Sequence, residues 1–230
     1  MIDAAGFRDL DEYRAVQARA NVRKANRVWA RPGVMQRVAE IAASVADDPA
    51  AGPRLVICHG VRNGAELGML RRHLTNACRL IGTDIGPSAD WFEGVERWDF
   101  HEPNPAWSGR ADAVFTNSWD HAYDIGRALA AWRDAAKPGG AIVLEWTVGH
   151  VEAEPGSCDC FGADRAALEA ELRTAGLADV RAEELPLLRE EASGEVRYRT
   201  VPDAPEERRP IEQSGPHLGR WLVWGRRGEE

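Results

Sequence analysis

Arg54-Leu-Val-Ile-Cys58, running into His59-Gly-Val-Arg-Asn-Gly-Ala-Glu66, is the stretch that decides the fold. The first five residues hold the apolar run Leu55–Cys58, with β-branched side chains, and read as a buried strand. Gly60 and Gly64, four apart, read as a turn that opens a helix. Arg79-Leu-Ile-Gly-Thr-Asp84 reads as a second strand ending in a carboxylate, 20 residues after Gly64. A ribose-binding acid follows a glycine-rich turn at a spacing of about 20. A nucleoside-containing cofactor needs these parts. The glycines let backbone approach the ligand, the helix N-terminus offers free N–H groups, and a carboxylate accepts from both ribose hydroxyls.

Working outward, strand and helix alternate. On the N-terminal side, residues 8–30 read as a helix with Leu10, Tyr13, Val16, Ala20 and Val28 loosely on one side. Val34 to Val45 reads as a second helix, and residues 47–53 as a loop. After Asp84 come a short helical piece at Ala89–Phe92, a third strand at Val95–Trp98 and a fourth at Ala111–Thr116. A helix at Tyr123–Ala136 is stopped by Lys137-Pro-Gly-Gly140 and leads to a fifth strand at Ala141–Trp146. A helix at Ala163–Ala175 ends on Gly176, as helices often do. Val180–Leu185 and Arg220–Gly225 read as two final strands with no helix between them. The expectation is an α/β, mostly parallel seven-stranded sheet with helices on both faces and an antiparallel edge strand. Residues 1–46 form an N-terminal helical cap and 47–230 the main domain. Residues 189–219, polar with four prolines, are a loop excursion between the last two strands.

Composition fits one such domain. The chain has 230 residues and is 44% hydrophobic, enough for a sizeable core. Its net charge of −8 argues against nucleic acid or an anionic membrane as partner. No apolar run approaches the roughly 20 residues that span a bilayer. The first residues lack the basic start and apolar segment of a signal peptide. A cytoplasmic protein is expected, with Cys58, Cys78, Cys158 and Cys160 reduced.

The order of signals resembles the class I, Rossmann-like methyltransferases that use S-adenosylmethionine, over roughly residues 54–185. The glycine turn, Asp84, Lys137-Pro-Gly-Gly140 and the helix from Phe161 to Gly176 carry the resemblance. Asn117-Ser-Trp-Asp-His-Ala-Tyr-Asp124 is most similar to methyltransferase domains of polysaccharide and natural-product pathways. The resemblance implies roles by position. Gly60, Val61, Arg62, Asn63 and Gly64 would shape the turn beside the methionine part of the cofactor. Asp84 would hold the ribose hydroxyls and Ile85 the adenine. Asp99 would accept from the adenine amino group, with Phe100 beside the ring. Asn117, Ser118 and Trp119 would lie near the reacting methyl. The chain departs from the family where Cys58 replaces an acid and Arg62 a glycine. Glu66 could stand in for the lost acid, and Arg62 could meet the methionine carboxylate or block the pocket.

For chemistry, His121 with Asp120 is the expected base that deprotonates the methyl acceptor, because histidine titrates in the useful range. His150 is a second candidate. Cys158-Asp-Cys160 has a one-residue gap, too short for structural zinc, so no metal is expected. Arg19, Arg23 and Arg27, four apart in a stretch from Tyr13 to Ala39 without acids, could meet a phosphate-bearing substrate such as a nucleotide-sugar. A solvated helix face or an acidic neighbour explains them as well. Trp119 and Trp146, among nine tryptophans, fill the core or line the pocket.

The leading reading is methylation of a small polar metabolite or natural-product intermediate, at oxygen rather than nitrogen. The alternatives are a binding protein or pseudo-enzyme of the same fold and a repurposed nucleoside- or S-adenosylmethionine-binding enzyme. An NAD dehydrogenase fits the glycine pattern less well. A homodimer is left open.

Overall fold

The computed structural model describes residues 6–46, 52–75, 77–151, 158–185, 197–201, 204–213 and 220–229. Its main sheet has seven strands. They are β2 (Leu55–His59), β3 (Arg79–Asp84), β4 (Val95–Arg97), β5 (Ala111–Thr116), β6 (Ala136–Trp146), β7 (Leu177–Leu185) and β10 (Arg220–Arg227), in the order β4-β3-β2-β5-β6-β10-β7. The first five run parallel, and β10 pairs antiparallel with both β6 and β7. The expected antiparallel pair is therefore present, with β10 inside and β7 outermost.

Successive side chains of a strand point to opposite faces, so a strand covered on both sides is apolar throughout. In β2, Val56 and Cys58 meet α2 (Pro32–Ala43) and α3 (Ala65–Leu70) through Met35, Val38, Ile41 and Leu70. Leu55 and Ile57 point the other way. They join Leu129 and Trp132 of α4 (Ile125–Ala135) and Leu168 and Leu172 of α5 (Arg165–Thr174). Helix starts are set by capping: the Asp124 and Asp164 carboxylates accept from Arg127 N and Ala167 N. At the N-terminal ends of the central strands Asp112 binds Leu55 N at 2.8 Å, Arg54 at 3.0 Å and Lys137 at 2.7 Å. That contact gives the Lys-Pro-Gly-Gly turn its place. The turn is the start of β6 and not a separate stop, since β6 already begins at Ala136.

Two further expectations change. The first helix, α1 (Leu10–Arg23), ends seven residues before position 30. The chain then turns at Lys24–Asn26, because the Asn63 amide donates to the carbonyls of Ala25 and Arg27, each at 3.0 Å. Arg27–Val28 is β1, paired with Glu212 and Gln213 of β9 (Ala204–Gln213). The second change is the excursion at 189–219. Arg197–Val201 (β8) pairs antiparallel with β9, so a small sheet β1-β9-β8 stands where a loop was expected. The rest of that segment lies outside the described residues. No helix of the described residues is long and apolar enough to cross a membrane.

Candidate functional site

The strand order reverses between β2 and β5, and open α/β sheets bind ligands outside the carboxyl ends of their strands at such a point. The ends of β2, β3, β5 and β6 surround two adjoining cavities there. The larger, about 250 Å³, is lined by residues including Arg62, Glu66, Asn117, Asp120, His150 and Asp159. The smaller, about 20 Å³, is lined by residues including Asn21, Asp84, Ile85, Asp99 and Phe100. Gly60, Ser118 and His121 border both. A wider depression of about 520 Å³ between α4 and α5 lies on the far helical face. Its position away from the switch point makes the crevice the better candidate.

Gly60 has φ +72°, and a Cβ there would stand 2.6 Å from Ser118 Oγ. The turn is therefore closed tightly against the end of β5. Val61 N donates to Thr83 O at 3.0 Å and Arg62 N to Asp84 Oδ2 at 3.0 Å, which ties the turn to β3. Arg62 itself sits at φ +51°, a conformation suited to glycine and costly for a long side chain. Burial pushes its guanidinium pKa down, against the pull of Asp84 and Glu66. Arg62 Nε, Glu66 Oε2 and Asn117 Nδ2 are all buried without a hydrogen-bond partner. Burial raises the Glu66 carboxyl to about 7. Cys58 is fully buried beneath the turn and its thiol is pushed up by burial, so it packs and is no nucleophile. His59 is also buried, stacked on Trp132 at 5.9 Å, and burial lowers its imidazole to about 3.

Asp84 accepts from Asn21 Nδ2 on both oxygens at 3.0 Å and from Gly86 N at 2.7 Å. Burial pushes its pKa up, against these bonds. Asp99 binds His101 Nδ1 at 2.8 Å and Arg14 Nε at 3.0 Å. Burial would raise Asp99, but the bonds from His101 and Arg14 win and bring it to about 2. Helix α1 thus reaches the site directly. Tyr13 donates to His121 O at 3.0 Å and Gln17 to Cys158 O at 2.8 Å.

His121 Nδ1 lies 2.5 Å from the Cys158 carbonyl and 3.4 Å from Asp159 Oδ1. A carbonyl only accepts, so Nδ1 carries a proton. His150 Nδ1 accepts from Thr147 N at 3.1 Å, which leaves its Nε2 as the donor, 3.9 Å from Asp120 Oδ2. Asp120 Oδ1 is buried with no partner.

The structure brings Gly60, Val61, Arg62, Asn63, Glu66, Asn117, Ser118, Asp120 and His121 to one cavity wall, and Asp84, Ile85, Asp99 and Phe100 to the other. Gly64 stands behind the turn as the left-handed cap of α3. Trp119 departs from the expected position. Its ring is fully buried in the core and donates to Glu145 O at 2.8 Å. Trp146 likewise packs inward, donating to Ala163 O at 2.9 Å. The basic stripe is broken, because Arg27 lies outside α1, while Arg14 and Arg37 pair with acids of neighbouring elements. Lys24, Arg27 and Trp29 line the outer part of the larger cavity. Sequence reasoning did not single out Asn21 or Asp159. Nothing in the helical pattern marks one polar residue of α1, and Asp159 was read only as part of a cysteine spacing.

No protein-family model and no curated protein matches the sequence. Solved structures do match. The 1,6-didemethyltoxoflavin N1-methyltransferase of Burkholderia thailandensis, solved with 1,6-didemethyltoxoflavin and S-adenosylhomocysteine, is 15% identical. It aligns over 96% of this chain and 92% of its own, with a TM-score of 0.60. A putative methyltransferase of Haloferax volcanii, in complex with the activator Trm112, is 17% identical over 96% and 99%, with a TM-score of 0.58. The geranyl diphosphate C-methyltransferase of Streptomyces coelicolor A3(2), in complex with Mg2+, geranyl diphosphate and S-adenosyl-L-homocysteine, is 13% identical over 84% and 78%, with a TM-score of 0.54. At these identities the likeness establishes the Rossmann-like methyltransferase fold.

Proposed function

We propose that the chain is an S-adenosylmethionine-dependent methyltransferase acting on a small polar molecule, with oxygen as the methylated atom. One observation carries this reading: the buried polar atoms without partners beside the glycine turn. Arg62 Nε and Asn117 Nδ2 are donors and Glu66 Oε2 is an acceptor. Buried polar groups are normally paired, and an unpaired one costs about 1–3 kcal/mol. Two donors and a carboxylate in one wall suit an α-amino acid head, with its carboxylate and its ammonium. Asp84 and Asp99, at the ends of β3 and β4, suit the ribose and the adenine. S-adenosylmethionine carries both halves and supplies an electrophilic methyl group. Gly60, Ser118 and His121 border both cavities and so flank the point where the two halves join. Asp120 and His121 face the acceptor from the larger cavity. The neighbouring enzymes that bind small molecules support the same class of acceptor, and Lys24 and Arg27 suit an anionic group on it.

Calorimetric titration with S-adenosylmethionine and S-adenosylhomocysteine, on protein shown to carry no ligand, tests the proposal. Micromolar binding is expected. A folded protein that binds neither leaves the second reading, a binding protein of the same fold, which the buried Arg62 side chain in the turn favours.

The acid at position 66 makes a pH prediction. Glu66 titrates near 7 because it is buried. Only its ionised form pairs with an ammonium group, so donor affinity is expected to rise with pH. Between about pH 6 and pH 8 the ionised fraction, and with it the affinity, grows by roughly tenfold. Glu66→Gln should flatten that dependence. A wild-type affinity that stays level across this range rules out Glu66 as the ammonium partner. The same shift bears on folding. A carboxyl raised above its unfolded value costs stability as pH climbs from about 4.5 toward 7.

A further inference from the structure

Helix α1 lies over the crevice and meets its carboxylates with its own side chains. The Asn21 amide bridges both oxygens of Asp84 at 3.0 Å. Gly86 N donates to Oδ1 at 2.7 Å and Arg62 N to Oδ2 at 3.0 Å. An ionised carboxylate offers about four acceptor sites, so these bonds use them all. At Asp99, His101 holds Oδ1 through its backbone N at 3.1 Å and its Nδ1 at 2.8 Å, and Arg14 Nε donates to Oδ2 at 3.0 Å. We propose that α1 is a strap that occupies the nucleoside site of the closed protein and is expelled from it by the bound donor. The identity of the ligand rests on the methyltransferase reading, and the strap on these contacts alone.

The space left under the strap is too small for a nucleoside. The cavity between α1 and the ends of β3 and β5, with Asp84 and Asp99 in its wall, measures about 20 Å³. A single water already needs about 10–15 Å³. Nor is there a gap beside it. A Cβ added to Gly86 would meet Asn21 Cβ at 3.4 Å and Ala18 O at 3.5 Å, so α1 rests directly on the turn after β3. Ribose hydroxyls reach the Asp84 oxygens only when Asn21 gives them up.

The packing of α1 lets it leave. Its buried residues are Tyr13, Gln17 and Ala20, and none of them belongs to the two large apolar clusters that flank the sheet. Tyr13 sits with Phe7 and Cys160 in a small cluster of its own. An element with so few buried apolar contacts opens at a fraction of the cost of global unfolding. Arg14 and Asn21 are seven residues apart, two turns along one helix face, so one movement frees both acids. The same movement takes Gln17 from Cys158 O and Tyr13 from His121 O, which loosens the segments bordering the acceptor cavity. The strap also lowers affinity, because apparent binding scales with the fraction of open protein.

Hydrogen exchange read on residues 10–23, together with calorimetric titration with S-adenosylhomocysteine, tests the strap. The variants are Arg14→Ala and Asn21→Ala, neither of which touches the two large clusters. In the ligand-free protein each should speed exchange over residues 10–23 and leave β2 and β5 unchanged. Each removes a contact of the closed state only, so donor affinity should rise, by up to about tenfold. Saturating S-adenosylhomocysteine on the wild type should also speed exchange over residues 10–23. A lid that closes on its ligand does the reverse, so slower exchange in the complex overturns the proposal. Variants that exchange like the wild type overturn it too. Binding by the variants and not by the wild type supports both the strap and the donor. Binding by none of the three folded proteins removes the donor, and exchange in the ligand-free variants then decides the strap by itself.

Discussion

Asp84→Ala is expected to weaken S-adenosylmethionine binding by roughly 10- to 150-fold, the equivalent of about 1.5–3 kcal/mol for a hydrogen bond to a charged group. The residue ends the second parallel strand, and Arg62 N and Gly86 N hold its carboxylate in place from two sides. The orientation of the acid is therefore built by backbone, before any ligand arrives. Asn21 is the unexpected partner, donating to both oxygens at 3.0 Å. On the proposed assignment, ribose hydroxyls would compete with the Asn21 amide for the same two oxygens. Asn21→Ala should thus leave affinity level or raise it severalfold, the opposite direction to Asp84→Ala. Removing the carboxylate also strands the two N–H groups, at about 1–3 kcal/mol of stability for a buried group. Asp84→Asn, which keeps the shape and one acceptor, controls for that. Calorimetry on the three folded variants decides the point. An Asp84→Ala protein that binds as tightly as the wild type refutes the ribose assignment.

The parts of this molecule that repeat a local rule were legible in the sequence. Strand β5 falls on Ala111–Thr116 as expected, since six residues buried on both faces leave an apolar run bounded by turns. Asp84 was legible for the same reason, as a polar residue at the end of such a run. The boundaries of α1 were not. Its apolar pattern continues to Val28, and the helix stops at Arg23 because Asn63, far along the chain, binds the carbonyls that follow. Trp119 was misplaced because a strand-end aromatic faces either the pocket or the core, and only the Glu145 carbonyl decides which. The strands at 197–201 and 204–213 were hidden by their charge and prolines, which read as loop.

The site shows the same division. Gly60, Asp84 and Ser118 sit at strand ends whose positions the alternation of elements fixes. Asn21 and Asp159 reach the crevice from a helix and a loop that no local pattern ties to it. Arg62 marks the limit from the other side. Its sequence signal was an irregular turn, and the structure shows why the irregularity persists. The backbone keeps a positive φ of 51° there, so the glycine-like conformation survives the loss of the glycine. The guanidinium that results is buried beside Glu66 and Asp84, whose charges both hold its proton. Arg62 and Glu66 thus stand together in the wall of the larger cavity.

Gly60→Ala should then combine a backbone cost with a steric one. Two costs add. The residue sits at φ +72°, which costs an alanine roughly 1–2 kcal/mol. Its Cβ would also lie 2.6 Å from Ser118 Oγ and 2.7 Å from Ser118 Cβ, a contact no side chain tolerates. Overpacking of this kind costs about 1–3 kcal/mol more. Together they predict a loss of about 2–5 kcal/mol, or roughly 5–15 °C in Tm for a chain of this size. The turn must also move away from β5, which shifts Arg62 N from Asp84 and takes donor binding with it. Gly109→Ala separates the two costs, because Gly109 has φ +66° with nothing within 4 Å of the added carbon. It should lose only the backbone part and keep full affinity. Replacing Ser118 by glycine in the Gly60→Ala background removes both clashing atoms and should recover most of the steric part, a coupling between neighbours that independent sites do not show. Thermal unfolding and donor calorimetry on the four proteins give the answer. If Gly60→Ala matches Gly109→Ala in both, the close approach of turn and strand has no part in building the site.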